Sequence, residues 1–473
     1  MPIASAAGFA ALRNRDFAFY LSASFLATIG LAMQSVALGW QIYYLTGKPF
    51  DLGLVGLAEF LPAFVLALVS GQIADHFDRR MVVFLGLLAE AAAASSLIVM
   101  VALDRVSVAG ILTVAFTFGL ARAISTPAQR AMMPNLIPPN DFPSAVAWSG
   151  IGWQIATIGG PALGGFLYAA GPIVVYSAVT ASLVASSIAM IMLRPQRAAT
   201  TSRERPTIES VLAGVRLIFN HKILLGAISL DLFAVLFSGA AALLPVFAKD
   251  ILHTGPEGLG ILRSAPGLGA VGVAVFLTQW PLTRHIGRRL FIAVGIFGFA
   301  ALAFGLSTSF WISFAALAVL GAADNISMYI RGSIVPLATP NALRGRVVAV
   351  ESVFIGASNE LGAFVAGTGA AFLGPVLAVV TGGSITLSVA VIWSWLFPEL
   401  RQADRMESVR ADFPPPEGDG KLPAEKEKEP AESPGSFAAV RRGIKSGTAR
   451  AYSSKAAPWR SWSSFASRRI TIE

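Results

Sequence analysis

Long apolar runs, separated by short polar stretches holding Gly, Pro, Asp or Arg, recur along the chain as far as residue 398. A bilayer-crossing helix needs about 20 predominantly apolar residues. Runs of that kind fall near 17–46, 52–74, 81–103, 107–129, 142–170, 172–193, 223–248, 258–282, 290–308, 311–330, 347–373 and 375–397. The pattern predicts an all-α integral membrane protein with twelve transmembrane helices. It also repeats. Residues 119–138 read GLARAISTPAQRAMMPNLIP and residues 321–340 read GAADNISMYIRGSIVPLATP, with Gly, Ile-Ser and two prolines in step. The same offset carries Gly160 onto Gly362 and Gly165 onto Gly367, and a slightly larger one carries Arg79-Arg80 onto Arg288-Arg289. A duplicated unit follows, in two pseudo-symmetric six-helix bundles, the construction used by alternating-access transporters. One mismatch stands inside the repeat: Arg122 of the first copy lies opposite Asp324 of the second.

Composition agrees with a membrane protein: hydrophobic residues make up 55% and charged residues 13%, too little polar surface for a soluble chain of 473 residues. The net charge of +9 does not point to nucleic acid, because the basic residues sit between apolar spans. With no cysteine, and with His76, His221, His253 and His285 scattered, neither disulfides nor a metal centre is expected, and no cofactor. The first span carries no cleavage site ahead of it and is expected to remain. Arg and Lys concentrate in alternate loops, so both termini are expected on the cytoplasmic side of a cell membrane, multi-pass.

The boundaries that follow are a cytoplasmic N-terminus over 1–16, a first bundle over 17–194 and an inter-bundle loop over 195–222. A second bundle covers 223–398, and residues 399–473 form a tail. The loop ends in IESVLAGVRLIF, whose apolar spacing suits a helix lying on the inner membrane surface. The tail is rich in Pro, Glu, Lys and Ser over 411–435, a composition of disorder.

Ionisable side chains inside spans each cost roughly 2.5–3.5 kcal/mol on insertion scales, so they should face a cavity or one another. Glu59, Glu90, Arg122, Asp231, Arg263, Asp324 and Glu360 are of this kind, with Glu351 nearer the inner end. Desolvation favours the neutral form of a carboxylate, so such a group can take up a proton and release it when a cation approaches. Asp231, Glu360 and Glu59 are the proton-coupling candidates, ranked in that order, with Arg122, Asp324 and Glu90 as cavity charges. The competing expectation for each is a static ion pair. Gln34, Gln41 and Asn359 are candidate cavity residues. In the fifth span Gly159, Gly160, Pro161, Gly164 and Gly165 remove side-chain bulk and bend the helix, which suits close helix packing.

The loop GQIADHFDRR at 71–80 resembles the signature loop of the major facilitator superfamily, and TRHIGRR at 283–289 resembles its degenerate second copy. LRNRDFAFYLSASFLATIG from Leu12, GLVGLAEFLPAF from Gly53, RGRV from Arg344 and SNELG from Ser358 are similar to the enterobactin-exporter-like branch of proton-coupled exporters, over roughly 10–400. GGPALGG resembles that superfamily's antiporter-associated motif. The resemblance implies a cytoplasmic gate in which Gly71 and Asp75 face the start of the eleventh span, with Arg79 and Arg80 as basic partners. His76 and Asp78 stand where the usual loop has arginine and glycine, which implies a differently tuned gate. The expected function is export of a small amphipathic molecule, a drug-like compound or siderophore, by proton antiport. The partners are small-molecule substrate, protons and the lipid bilayer, with the protein working as a monomer and no nucleic acid. The same fold serves importers and facilitators, and a non-transporting membrane sensor is a further alternative. No phosphate-cradling GxxxxGK[ST] loop is present and no nucleophile arrangement suggests an enzyme.

Overall fold

The computed structural model describes residues 9–194, 208–340 and 343–404; the side chains of 67–69, 71, 72, 74, 75 and 208–211 lie outside that description, as do the rest of the inter-bundle loop and of the tail. Twelve helices of at least 17 residues are present among the described residues. The first six are α1 Arg15–Thr46, α2 Pro49–His76, α3 Arg79–Ala102, α4 Val108–Leu136, α5 Phe142–Ala169 and α6 Pro172–Ile191. The second six are α7 Lys222–Ser238, α8 Pro256–Gln279, α9 Ile286–Leu306, α10 Phe310–Leu337, α11 Arg344–Leu373 and α12 Pro375–Leu396. Ten are long and apolar enough to cross a membrane by themselves. The other two are the 28-residue α5, whose glycines, prolines and Gln154 dilute its hydropathy, and the 17-residue α7.

Helix starts and stops follow local chemistry. Asn14 caps α1, its side chain accepting from the backbone N–H of Asp16 at 3.0 Å and Phe17 at 3.2 Å, and Ser107 caps α4. Such caps contribute about 0.5–2 kcal/mol each. Prolines open α2, α6, α8 and α12, where the missing N–H is not needed. Helices α4 and α10 both run seven residues past the expected span ends, from 129 to 136 and from 330 to 337, each through a proline.

The packing repeats as the sequence does. Within the first half α2 packs on α4, α1 on α5 and α6, and α3 on α4 and α6. Within the second, α8 packs on α10, α7 on α11 and α12, and α9 on α10 and α12. The halves meet where α5 crosses α8 and α2 crosses α11. Absent side chains permit both crossings. A Cβ on Gly165 would lie 2.9 Å from Cα of Gly260, and one on Gly367 would lie 2.8 Å from the backbone of Gly53 and Pro49. The segments PFDLG at 49–53 and PEGLG at 256–260 are therefore a second repeat signature. These crossings shut the end of the bundle remote from the chain's N-terminus.

Helix α7 departs from the expected 223–248 run. It stops at Gly239, in a left-handed conformation with φ 49°, and resumes as Leu244–Val246 and a π-helical turn, Phe247–Ile251. The expected amphipathic segment is the helix Ile208–Asn220, bent 102° from α7. Its Ile218 is buried in the second-half core, while Leu212 and Phe219 are exposed. Past α12 the chain forms a short helix, Pro398–Gln402, with Leu400 fully buried, and Asp404 accepts from the backbone N–H of His285 at 3.0 Å. The packed chain thus reaches beyond 398, the boundary expected from composition.

Candidate functional site

Two clusters of charge stand inside the bundle. The first bridges the halves. Glu59 on α2 holds Arg122 on α4 at 4.0 Å, the arginine side chain half exposed. Arg263 on α8 donates to the Ser35 hydroxyl of α1 at 2.8 Å, across the interface between halves. Glu360 on α11 reaches toward α2 where Gly56 leaves room, its Oε2 3.7 Å from the place a Cβ would occupy. Glu59 and Glu360 each lie within electrostatic reach of both arginines and of each other, and Glu90 on α3 within reach of Arg122 and Glu59. Glu59, Glu90, Glu360, Arg122 and Arg263 thus form one group drawn from both halves.

The second cluster belongs to the second half alone. Arg331 on α10, 4% exposed, binds Asp231 on α7 at 2.7 Å and Glu351 on α11 at 3.9 Å. Asp324 shares a small internal space with Asp231 and Ser327. Arg331 was not singled out in the sequence, although it lies inside the repeated segment, opposite Gln129 of the first copy. Asp231 is thus one partner of a close buried pair, whereas Glu59 stands 4.0 Å from a half-exposed arginine.

A cavity of about 530 Å³ occupies the half of the bundle nearer the N-terminus. Tyr20 and Ser24 of α1, Glu90 of α3, Arg122 and Gln129 of α4 and Trp153 of α5 are among its walls. The Ser24 hydroxyl accepts from Gln129 Nε2 at 2.9 Å. Gln34 is 2% exposed with neither amide atom partnered among the described residues. Gln41 instead accepts from the Tyr176 hydroxyl and ties α1 to α6, and Asn359 donates to Ile355 O of its own helix at 2.8 Å.

The glycines of α5 divide between two partners. Gly160 and Gly164 press on Ala32 and Met33 of α1, and Gly165, with Pro161 O, on Gly260 of α8, while Gly159 has nothing within 4 Å. Their counterparts repeat the division: Gly362 presses on Val235 and Leu236 of α7, and Gly367 on α2. At the shut end Tyr43 of α1 donates to Asp250 beyond the α7 break, and the Lys249 ammonium sits 5.3 Å and 5.0 Å over the rings of Tyr43 and Tyr44.

At the expected gate, the side chain of Asp75 lies outside the described residues, and Gly71 carries none. Arg79 donates to Ala131 O at 3.2 Å, and Arg80 to Ile191 O at 3.3 Å and Leu193 O at 2.6 Å. Arg80 therefore binds the free carbonyls at the end of α6, a favourable place for a cation. Asp78, the departure from the usual loop, caps α3 by accepting from Arg80 N at 2.9 Å.

Residues 6–427 match the family model described as transmembrane secretion effector. The chain is 25% identical over 401 residues to the enterobactin exporter of Citrobacter koseri, covering 84% of this chain and 94% of that one. It is 27% identical over 440 residues to a multidrug efflux pump of Mycobacterium bovis, covering 85% and 98%. Its fold is that of a bacterial homologue of the iron transporter ferroportin in an inward-facing state (TM-score 0.64, 13% identity, 82% and 99% covered). A bacterial homologue of the human lysosomal transporter Spinster is similar in the same way (TM-score 0.63, 13% identity, 84% and 97% covered). The protein is a multi-pass membrane protein of the major facilitator superfamily, and within it the chain belongs to the transmembrane secretion effector family.

Proposed function

We propose that this protein is a secondary active exporter that expels a small amphipathic molecule in exchange for protons, its two bundles, 17–194 and 223–398, rocking against one another. The observation that carries the proposal is the cluster of Glu59, Glu90, Glu360, Arg122 and Arg263. Three carboxylates face two arginines, so the group is one positive charge short, which a proton supplies. Because Glu59 and Arg122 belong to one half and Glu360 and Arg263 to the other, that proton alters the attraction between halves, and it biases the two facing states by its differential affinity for them. Glu360 and Glu59 are the coupling groups in this account, and Asp231 holds Arg331 in place.

Export as the direction is supported by the exporter and efflux-pump names of the two relatives. The basic loops at the N-terminal end support a cytoplasmic side for both termini and for the cavity's approach, with the shut crossings facing outward. Asp75 acts there as the anion of a cytoplasmic latch. One protein chain holds both halves of the cluster, so a monomer suffices.

The test uses purified protein in vesicles, with and without an imposed pH gradient. Glu360→Gln and Glu59→Gln should abolish uphill export while downhill exchange of cargo persists, because exchange needs the bundles to rock but no proton to move. Gradient-driven accumulation by both variants would refute the assignment.

A further inference from the structure

The walls of the cavity in the first half carry three ionisable side chains, Glu90, Arg122 and Arg130. The first two belong to the cluster between the halves and lie within electrostatic reach of one another. Arg130 stands outside that cluster. Among the described residues no carboxylate comes within 4.0 Å of its guanidinium and no hydrogen bond holds it. The arginines deeper in the bundle are all held, Arg122 by Glu59, Arg263 by Ser35 and Arg331 by Asp231, and the gate residues Arg79 and Arg80 bind backbone carbonyls.

Arg130 belongs to a packed helix and not to a loop. It precedes the end of α4 at Leu136 by six residues, about 9 Å of helix. Tyr20 of α1 fixes its level: the tyrosine hydroxyl donates to the carbonyl of the neighbouring Gln129 at 3.2 Å and lies within electrostatic reach of Arg130. Eight residues, about 12 Å along the helix, separate it from Arg122, and Ser125, Thr126 and Gln129 line the wall between them. Helix α5 adds Ser149 and the exposed Trp153 to the same cavity.

A guanidinium does not lose its proton in a protein, so this wall always carries a positive charge that no side chain answers. Its planar fork of donors matches the paired oxygens of a carboxylate, sulfonate or phosphate. Between apolar helices that attraction is stronger than in open water. Trp153, Phe25 and Leu21 among the walls suit an aromatic or apolar body, and about 530 Å³ is room for a small ligand. An anion at Arg130, about 12 Å from Arg122, leaves the Glu59–Arg122 pair of the coupling cluster in place. Marking the cytoplasmic side asks only that an arginine reach water, and does not account for its place on a cavity wall beside Tyr20. The inside-negative potential of a cell membrane also drives an anion outward, in keeping with export.

We infer that the part of this cavity nearer the N-terminus, with Arg130 on α4 beside Tyr20 on α1, is the recognition site for an anionic group on an otherwise apolar or aromatic cargo. This names the cargo class for the exporter proposed above and rests on that reading. Arg130 is then a specificity residue, set apart from the Glu59 and Glu360 that carry the coupling.

The test is equilibrium binding to purified full-length protein in non-ionic detergent, without any gradient. The probes are dansylglycine, a fluorescent aromatic ending in a carboxylate, and its neutral amide, dansylglycinamide. Wild-type protein should bind the acid at least about 10-fold more tightly than the amide, the worth of a charged hydrogen bond. Arg130→Gln should weaken the acid by about 10- to 100-fold and change the amide by less than about 3-fold. Arg130→Lys, which keeps the charge but loses the fork, should leave the acid about 3- to 10-fold weaker than in wild type. Equal binding of the two probes by wild-type protein would overturn the inference, as would unchanged acid affinity in Arg130→Gln or equal loss of both probes. Dioctanoyl phosphatidylglycerol separates the two sources of such an anion: if Arg130→Gln weakens its binding alone while dansylglycine is held as before, Arg130 serves a lipid headgroup and the inference fails. Wild-type protein by itself supplies the comparison of acid with amide, whatever the folding of the variants. Because no gradient enters, failure here leaves the coupling role of Glu59 and Glu360 standing, and failure of coupling leaves the acid preference intact.

Discussion

Replacing Asp231 with Asn should unfold the protein more readily rather than uncouple it. The Arg331 and Asp231 side chains are 4% and 8% exposed and meet at 2.7 Å, while the other carboxylate near Arg331, Glu351, stands at 3.9 Å. Removing one partner of a buried pair leaves the other charged and dry, which costs about 3–5 kcal/mol. Glu351 offsets part of this, so about 2–4 kcal/mol is the expected net loss, a 30- to 1,000-fold change in the unfolding equilibrium. Purified Asp231→Asn should therefore melt several degrees lower by fluorescence-detected size exclusion, with uphill export and downhill exchange reduced together. Adding Arg331→Met should restore much of the stability, since replacing both charges with apolar bulk is often neutral or favourable. If Asp231→Asn keeps its melting temperature and loses uphill export alone, Asp231 is a proton carrier and the pair is not structural.

Three further outcomes follow from the geometry. Gly165→Val should push α5 from α8 at the shut crossing, where even a Cβ comes within 2.9 Å of Gly260 Cα, and overpacking of about 1–3 kcal/mol should raise labelling of single cysteines placed in the cavity from the outer side. The native chain has no cysteine, so each reporter is unambiguous, and unchanged labelling would show that this crossing is not an outer seal. Asp78→Ala should destabilise the protein by the worth of one helix cap, about 0.5–2 kcal/mol, seen as a lower melting temperature, without altering downhill exchange of cargo; loss of folded protein would assign Asp78 a larger role. Lys222→Ala should leave stability within about 0.5 kcal/mol, because its pair with Glu399 at 2.7 Å is exposed at both ends, and a larger loss in the melting assay would refute that reading.

Much of the architecture was legible because bilayer thickness fixes span length and duplication fixes which glycines correspond. Gly160 and Gly362, matched by offset alone, press on the first helix of their own halves, and Gly165 and Gly367 both press on the second helix of the other half. Periodicity did not show the interruption of α7, since the residues from Gly239 to Ala248 remain apolar and the break lies in backbone conformation. Hydropathy also placed the ends of α4 and α10 too early, because it registers the membrane boundary while these helices continue past it. Among the site residues, depth along a helix identified which carboxylates lie in spans but not their partners. Asp231 ranked first by depth, yet Arg331, two turns from Asp324 on α10, holds it. Glu59 and Glu360 come together only through the α2–α11 crossing, a contact between residues 301 positions apart that no local pattern contains.

Proton movement evoked by cargo is the most direct test of the central claim. Purified wild-type protein in vesicles loaded with a pH-sensitive dye, without ATP, should shift the internal pH when a transported cargo is added on one side. The shift should vanish in Glu360→Gln while exchange of labelled cargo continues. Cargo transport with no proton movement in wild-type protein, or an undiminished shift in the Glu360→Gln and Glu59→Gln variants, would contradict a proton-coupled exporter built on the cluster between the two halves.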